Sequence, residues 1–237
     1  MSRVSSAQLK ENLESIKERI RQAALRAGRN PEEITLLGVT KTVEPDIICQ
    51  AYDLGLRDFG ENRVQEFLRK ADIIDRACRW HIIGRLQTNK VKYLDHRVSL
   101  IHSLDRMELA ETLHARGEKI GRIWDVLVQV NVSGEETKTG VSPENLKDFV
   151  RNVAKLGNIH IKGLMTIAPY AENSEEVRWV FRELRNLAVD IQRESMDNIN
   201  MEFLSMGMSN DFEVAIEEGA NIVRVGSAIF GERVYLP

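Results

Sequence analysis

The chain of 237 residues has little cysteine and no long uncharged apolar run. Cys49 and Cys78 form no Cys-x-x-Cys pair, so a zinc site is not expected. Both fall in predicted helices, and we interpret them as packing residues. No apolar run approaches the ~18 residues of a membrane span. The N-terminal segment MSRVSSAQLK also lacks the apolar core of a signal peptide, so a cytoplasmic location is expected.

An excess of either charge is also missing. Lys and Arg number 33 against 36 Asp and Glu, which gives a net charge of −3. Such a chain has no overall electrostatic attraction to nucleic acid or anionic membrane, and neither is expected as a partner. No linker, repeat or low-complexity block interrupts residues 1–237, which we interpret as a single domain. No long apolar surface stripe is evident, so a monomer is expected.

The sequence contains an N-terminal amphipathic helical pattern at 6–28, followed by an alternation of strand-like and helix-like patterns. Apolar runs typical of buried strands occur at 34–40, 57–61, 80–84, 98–104, 124–132, 159–167, 202–206 and 222–226. Helical patterns separate them at 45–54, 62–78, 88–95, 106–118, 143–155, 174–192 and 210–218. This order predicts a parallel (β/α)8 TIM barrel. An open doubly wound sheet is the alternative, disfavoured because no Gly-x-Gly-x-x-Gly follows the first strand.

A lysine ends the first predicted strand, in the stretch LLGVTKTVEP. The working face of such a barrel lies at the carboxyl ends of its strands. Val39 and Lys41 share one face by the two-residue period, so both are predicted to point inward. An amine at a barrel mouth can attack an aldehyde and form a Schiff base. A solvated strand end is the alternative interpretation of Lys41.

Gly/Ser-rich turns follow the seventh and eighth strands, at 205–209 (SMGMS) and 226–228 (GSA). Glycine lets the backbone approach an anion, and successive N–H groups can surround it. Phosphate sites in barrels frequently form at these two turns. Together with Lys41, the turns indicate a phosphorylated aldehyde as ligand, although each is also compatible with a simple tight turn.

Longer motifs carry a specific resemblance, in the order GVTKTVEP, FGENRVQE, WHIIGRLQTNK, HSLDR, VLVQVNVSGEETKTG, GLMTIAPY, LSMGMSNDFEVAI and VRVGSAIFGER. Over residues 5–235 the chain resembles the pyridoxal phosphate homeostasis protein family, whose members share the N-terminal barrel of alanine racemase. The resemblance implies a fold-type III barrel for pyridoxal 5'-phosphate (PLP). It also implies an intracellular role in binding, storing or delivering PLP, with apo forms of PLP-dependent enzymes as possible recipients.

The same resemblance implies roles for individual residues. Lys41 would form the Schiff base with PLP, and Asn62 would lie near the ring. The phosphate would be held by three residues: Ser205, Gly226 and Ser227. Arg224 would face the pyridine nitrogen. Many relatives have Thr at the position of Ser227, a change that keeps the hydroxyl.

Arg224 interrupts the apolar run IVRVG, and an unpaired guanidinium inside a barrel would be costly. From the residues alone, its simplest partner is a barrel carboxylate such as Glu61 or Glu202. The resemblance favours the pyridine nitrogen instead. An always-charged guanidinium would keep that nitrogen unprotonated and weaken PLP as an electron sink.

Other polar residues have weaker claims to a function. Lys90 and Lys138 lie in loops on the same predicted face as Lys41, where solvated lysines are common. His81 and His102 lie in or near predicted strands, and we interpret them as structural residues.

An amino-acid racemase is the main alternative function. Two-base racemisation needs a proton donor or acceptor on each face of the substrate carbon. Alanine racemases take the second group from a tyrosine within a C-terminal β-domain, for which this chain has no sequence beyond the eighth strand. Tyr170 is the one credible replacement. We therefore expect a PLP-binding protein that is not a catalyst.

Overall fold

The computed structural model describes residues 4–135, 137–194 and 196–231. Within these ranges eight parallel strands close into a barrel in chain order, and the last strand pairs with the first. The strands are β1 Thr35–Val39, β2 Asp58–Glu61, β3 Arg79–Ile82, β4 Val98–Leu104, β5 Trp124–Gln129, β6 Ile159–Met165, β7 Ile199–Ser205 and β8 Ile222–Val225. The predicted (β/α)8 barrel is confirmed.

One helix precedes the first strand, and the others follow the strands around the outside of the barrel. They are α1 Ser6–Arg26, α2 Pro45–Asp53, α3 Val64–Ile73, α4 Thr88–Val91, α5 Met107–Ile120, α6 Leu146–Val153, α7 Arg178–Gln192, α8 Phe212–Glu217 and α9 Ser227–Phe230. In the described part of the chain, no helix is both long and apolar enough to cross a bilayer.

The additional helix α1 begins where the sequence predicts. The Ser5 hydroxyl accepts a hydrogen bond from the N–H of Gln8 at 3.2 Å, which satisfies one of the free donors of the first turn. Leu9, Leu13 and Ile16 are buried at helical spacing and turn the apolar face of α1 toward α8 and α9. The helix thus packs against the helices that follow the last two strands.

Two predicted helices are shorter than their patterns. The region 62–78 is helical only over Val64–Ile73, because Ile74 is already extended and buried. The region 88–95 is helical only over Thr88–Val91. In the opposite direction, β7 begins at Ile199, before the predicted start at 202. The predicted positions of the strand ends, which position the site, are correct to within three residues.

The pairing between β7 and β8 is the shortest in the barrel. Its register contains the single pair Ser205 and Ile222, whereas six pairs join β5 and β6, with one register shift among them. The backbone N–H of Arg224 extends the contact by donating to the carbonyl of Gly207 at 3.0 Å. The N–H groups of Asn221 and Met206 also bond across this short join, which lies directly below the two Gly/Ser-rich turns.

Candidate cofactor site

A cavity of about 350 Å³ opens at the carboxyl ends of the strands. This volume is within the range of small-molecule sites in proteins. The turns after β1, β6, β7 and β8 supply most of its wall, and the loop after β5 adds one lysine. The residues with side chains able to bind or react are Lys41, Lys138, Tyr170, Ser174, Ser209, Asn210, Asp211, Arg224 and Ser227.

Lys41 lies in a turn and not in the strand itself. β1 ends at Val39, and the N–H of Val43 donates to the carbonyl of Thr40 at 2.8 Å. Thr42 has φ of 65°, a left-handed conformation that is uncommon for a β-branched residue. The expected orientation is nevertheless obtained, since Val39 and Lys41 both line the cavity. The strained turn therefore presents the lysine.

A buried charge cluster holds this turn from below. The ammonium of Lys70 donates to the Thr40 carbonyl at 2.7 Å and to Glu61 Oε1 at 2.7 Å. It also reaches Glu66 Oε2 at 3.2 Å. Glu66 in turn accepts the N–H of Thr42 at 2.9 Å. The residues on both sides of Lys41 are thus tied to one fully buried ammonium.

The two carboxylates of the cluster respond differently to their surroundings. Burial raises the pKa of Glu61 although Lys70 acts in the opposite direction. Burial also acts to raise the pKa of Glu66, but hydrogen bonds from Thr42 and Lys70 hold it below its ordinary value. Glu66 is therefore the firmly ionised partner of Lys70.

Sequence reasoning missed the function of Lys70. A signal was available, because Glu66 and Lys70 have the i,i+4 spacing of a helical ion pair. Lys70 also falls three residues after Phe67, on the apolar face of α3, where a lysine needs a buried partner.

The turns after β7 and β8 bring two hydroxyls together. Ser227 Oγ lies 3.3 Å from Ser209 Oγ at the rim of the cavity. Gly207 has φ of 91°, and an added Cβ would lie 2.7 Å from the Cβ of Ala215 and 2.8 Å from the Cα of Phe212. No other residue fits that close turn without displacing α8. The glycine therefore allows the two hydroxyls to meet.

Arg224 occupies the floor of the cavity and is 5% exposed. Its Nη1 donates to Ser205 Oγ at 2.7 Å, and its Nη2 donates to the carbonyl of Thr166 at 2.9 Å. Burial lowers the pKa of Arg224 to about 10, although the charge of Asp211 opposes the shift. The guanidinium thus stays charged near neutral pH and has N–H groups beyond these two bonds.

The carboxylate pairing suggested for Arg224 is wrong. Glu61 pairs with Lys70 at 2.7 Å, and Glu202 pairs with Lys162 at 3.0 Å. Among the residues that the structure describes, no carboxylate lies within ion-pair distance of Arg224. A buried cation without a carboxylate at the edge of a cavity indicates that an acceptor belongs there.

The predicted site residues are only partly brought together. Lys41, Arg224, Gly226 and Ser227 line the same cavity. Ser205 is fully buried beneath Arg224 and does not line it. Asn62 lines a second, larger cavity of about 720 Å³.

The two lysines considered as loop residues also differ in position. Lys138 lines the cavity of Lys41 and pairs with Glu135. Lys90 instead lines the larger cavity beside Asn62. Within the described ranges, no group of His, Cys, Asp and Glu side chains is arranged to hold a metal ion.

The sequence matches a family model described as the alanine racemase N-terminal domain over residues 4–234. The pyridoxal phosphate homeostasis protein of Aquifex aeolicus is 55% identical over 226 residues, covering 95% of this chain and 98% of the relative. The protein of the same name from Escherichia coli K12 is 39% identical over 228 residues, covering 94% and 96%.

Solved structures give the same relationship. PipY of Synechococcus elongatus, with PLP bound, superposes with a TM-score of 0.80 at 32% identity, covering 94% of this chain and all of that one. A protein of unknown function from Bifidobacterium adolescentis gives a TM-score of 0.89 at 34% identity, covering 95% of both chains. Alanine racemase of Clostridium difficile gives 0.75 at 14% identity, with 95% of this chain and 56% of the enzyme covered, a likeness of fold alone.

Proposed function

Because the chain belongs to the family of pyridoxal phosphate homeostasis proteins, we propose that it binds PLP covalently at Lys41 and stores or delivers the cofactor without catalysing turnover. Buried Arg224 carries this proposal. Among the described residues it has no carboxylate within ion-pair distance, and it lines the cavity that also contains Lys41. A guanidinium at this place can donate a hydrogen bond to a neutral acceptor of a ligand, such as a pyridine nitrogen.

The chain's own groups suit the parts of the cofactor. When bound, PLP supplies an aldehyde that condenses with an amine and a ring that withdraws electrons. Lys41 provides the amine, and its turn is fixed by Lys70 and Glu66. Ser209 and Ser227 offer hydroxyls to the phosphate beside Gly226. Ser205 acts on the ligand indirectly, through Arg224, because its hydroxyl accepts a hydrogen bond from that guanidinium beneath the cavity.

Two features favour a carrier over a catalyst. Arg224 donates hydrogen bonds but does not transfer a proton. A pyridine nitrogen above it therefore stays unprotonated, and the ring is a weaker electron sink. Tyr170 is the tyrosine that lines the cavity, and 82% of it is exposed to solvent. Two-base racemisation requires a proton donor held against the substrate carbon. A tyrosine with this exposure is not held in that way.

Borohydride reduction followed by peptide mass analysis tests the covalent assignment. We expect the phosphopyridoxyl mass on the peptide that contains Lys41. The Lys41→Ala protein should lose it, and the Lys138→Ala protein, altered at another lysine of the same cavity, should keep it. A label only on Lys138, Lys90 or Lys162 in the unaltered protein would contradict the assignment.

Two assays test the role as a carrier. The PLP-loaded protein is mixed with an apo PLP-dependent enzyme, and recovery of that enzyme's activity is followed; we expect recovery. In parallel, loss of optical activity is followed in a panel of L-amino acids, and no substantial turnover is expected. Turnover that disappears in Tyr170→Phe would establish a racemase instead. Absence of both transfer and turnover would restrict the role to storage.

A further inference from the structure

A line of polar groups crosses the barrel interior beneath Arg224. Ser205 Oγ, which accepts from Arg224, lies 2.9 Å from His102 Nδ1. His102 Nε2 lies 2.9 Å from His81 Nδ1. His81 Nε2 lies 3.1 Å from Asp58 Oδ1. All five residues are at most 5% exposed, and five different strands contribute them.

The far end of this line reaches the opposite face of the barrel. Asp58 and Arg79 are the first residues of β2 and β3, at the amino ends of the strands. Arg79 donates twice to the Asp58 carboxylate, with its Nε at 2.7 Å from Oδ1. The Arg79 side chain is 60% exposed. The line therefore joins the floor of the cofactor cavity to a surface ion pair.

The donors and acceptors along this line give its hydrogen bonds a common direction. An ionised carboxylate only accepts, so His81 carries a proton on Nε2, and a neutral His81 then accepts at Nδ1. His102 must then donate from Nε2 and accept at Nδ1. The Ser205 hydroxyl donates to that nitrogen and presents only lone pairs to Arg224. Every hydrogen points away from Arg224 and toward Asp58.

For Asp58 and His102, the charge states required for this direction agree with the surroundings of the two groups. Burial acts to raise the pKa of Asp58, but hydrogen bonds from Arg79 and His81 hold it below its ordinary value, so the carboxylate is ionised. Burial, together with the charge of Arg224, holds the pKa of His102 well below its ordinary value. His102 is therefore neutral, with one nitrogen free to accept.

We propose that Asp58, acting through His81, His102 and Ser205, is a positioning device that orients Arg224 for its ligand from the far end of the barrel. The device fixes the rotation of the Ser205 hydroxyl, so that its hydrogen never faces the guanidinium. With the Thr166 carbonyl as the second acceptor, two corners of the guanidinium are fixed. The remaining N–H groups are then held in place for a ligand. The consequence for PLP rests on the function proposed above, whereas the direction of the chain does not.

Nitrogen-15 NMR of the histidine rings tests the direction in protein without PLP. We expect the Nε2-protonated tautomer for both His81 and His102. Asp58→Asn and Arg79→Gln form a matched pair, because each removes one partner of the same ion pair. Arg79→Gln keeps the accepting carboxylate and should leave both tautomers unchanged. Asp58→Asn replaces it with a group that can also donate, and both rings should become tautomer mixtures.

Titration with PLP tests the consequence. Asp58→Asn should weaken PLP binding by roughly fivefold or more, the range of coupling between distant sites, and shift the absorption of the bound cofactor. Arg79→Gln should do neither. Ser205→Ala is a second variant in case Asp58→Asn folds poorly: it should reproduce the loss of affinity and leave the His81 tautomer unchanged.

Three results would overturn the proposal. The first is a His102 ring protonated on Nδ1 in the unaltered protein. The second is an Arg79→Gln protein whose tautomers change as much as those of Asp58→Asn. The third is an Asp58→Asn protein with altered tautomers and unchanged PLP affinity. Complete absence of PLP binding by the unaltered protein would instead contradict the proposed function, because the tautomers report the chain without the cofactor.

Discussion

At the scale of single residues, we propose the hydroxyls of Ser209 and Ser227 as donors to the phosphate. They lie 3.3 Å apart on separate turns, both at the cavity. Ser205 has the same chemistry, but its hydroxyl is engaged by Arg224 and His102. Ser227 and Ser205 were both predicted to hold the phosphate, but they occupy different positions. Ser227 lies at the rim of the cavity and Ser205 lies beneath its floor.

We expect Ser227→Ala to weaken PLP binding about tenfold to a hundredfold. Hydrogen bonds to charged groups contribute about 1.5–3 kcal/mol, and ~1.4 kcal/mol is one decade in the dissociation constant. Absorbance titration measures the change. Ser142→Ala, in the turn before α6 and away from the cavity, is the control and should bind as the parent does. Equal PLP affinity of Ser227→Ala and the parent would show that other residues bind the phosphate.

The sequence indicated which residue types form the site but not all of their partners. Lys41, Gly226 and Ser227 follow strand ends, and strand ends meet at one face of any parallel barrel. The partner of Ser205 is His102, 103 residues away on β4. Such a contact depends on strand register and barrel closure, which no local pattern encodes. The histidines were predicted as structural, and they do form hydrogen bonds in the interior.

At the scale of elements, α3 fixes the turn that carries Lys41. Its buried Lys70 bridges the Thr40 carbonyl and two carboxylates, and Glu66 extends the link to Thr42. The left-handed Thr42 costs on the order of 1–3 kcal/mol and persists only where its surroundings impose it. The helix therefore stabilises both itself and the strained turn.

We expect Lys70→Met to lower the free energy of unfolding by about 3–5 kcal/mol, because Glu61 would remain buried without its cation. Chemical denaturation measures this change. Arg69→Met, at the exposed neighbouring position of α3, is the matched control and should stay within about 0.5 kcal/mol.

The double variant Lys70→Met with Glu61→Gln should recover part of the loss, because the uncompensated charge is gone. A Lys70→Met protein as stable as the Arg69→Met control would show that the cluster contributes nothing to folding.

At the scale of the whole molecule, the alternation of strands and helices was sufficient to predict the barrel. Helix ends were less accurate: α3 stops at Ile73 because Ile74 is already extended and buried before β3. Apolar periodicity does not contain that tertiary information. It also did not predict α9, Ser227–Phe230, whose four residues are too short to show a helical period.

The short join between β7 and β8 leads to a further prediction. Ser209 follows β7 and Ser227 follows β8, so a phosphate held by both would bridge the join. PLP should therefore slow amide hydrogen exchange most at Met206, Asn221 and Arg224, whose N–H groups bond across it. Mass spectrometry of exchanged peptides measures this, with β5 and β6 as reference. Uniform protection over all strands would indicate global stabilisation instead.

If the chain holds PLP as proposed, we expect proteases to attack the PLP-free barrel first at the short join between β7 and β8. Opening between β7 and β8 would expose two strand edges and the glycine-rich turns above them to proteases. Chains that have given up PLP would then be degraded sooner than loaded ones. The lifetime of the protein would follow the supply of the vitamer it holds, so that cofactor shortage would lower the number of binding sites competing for what remains.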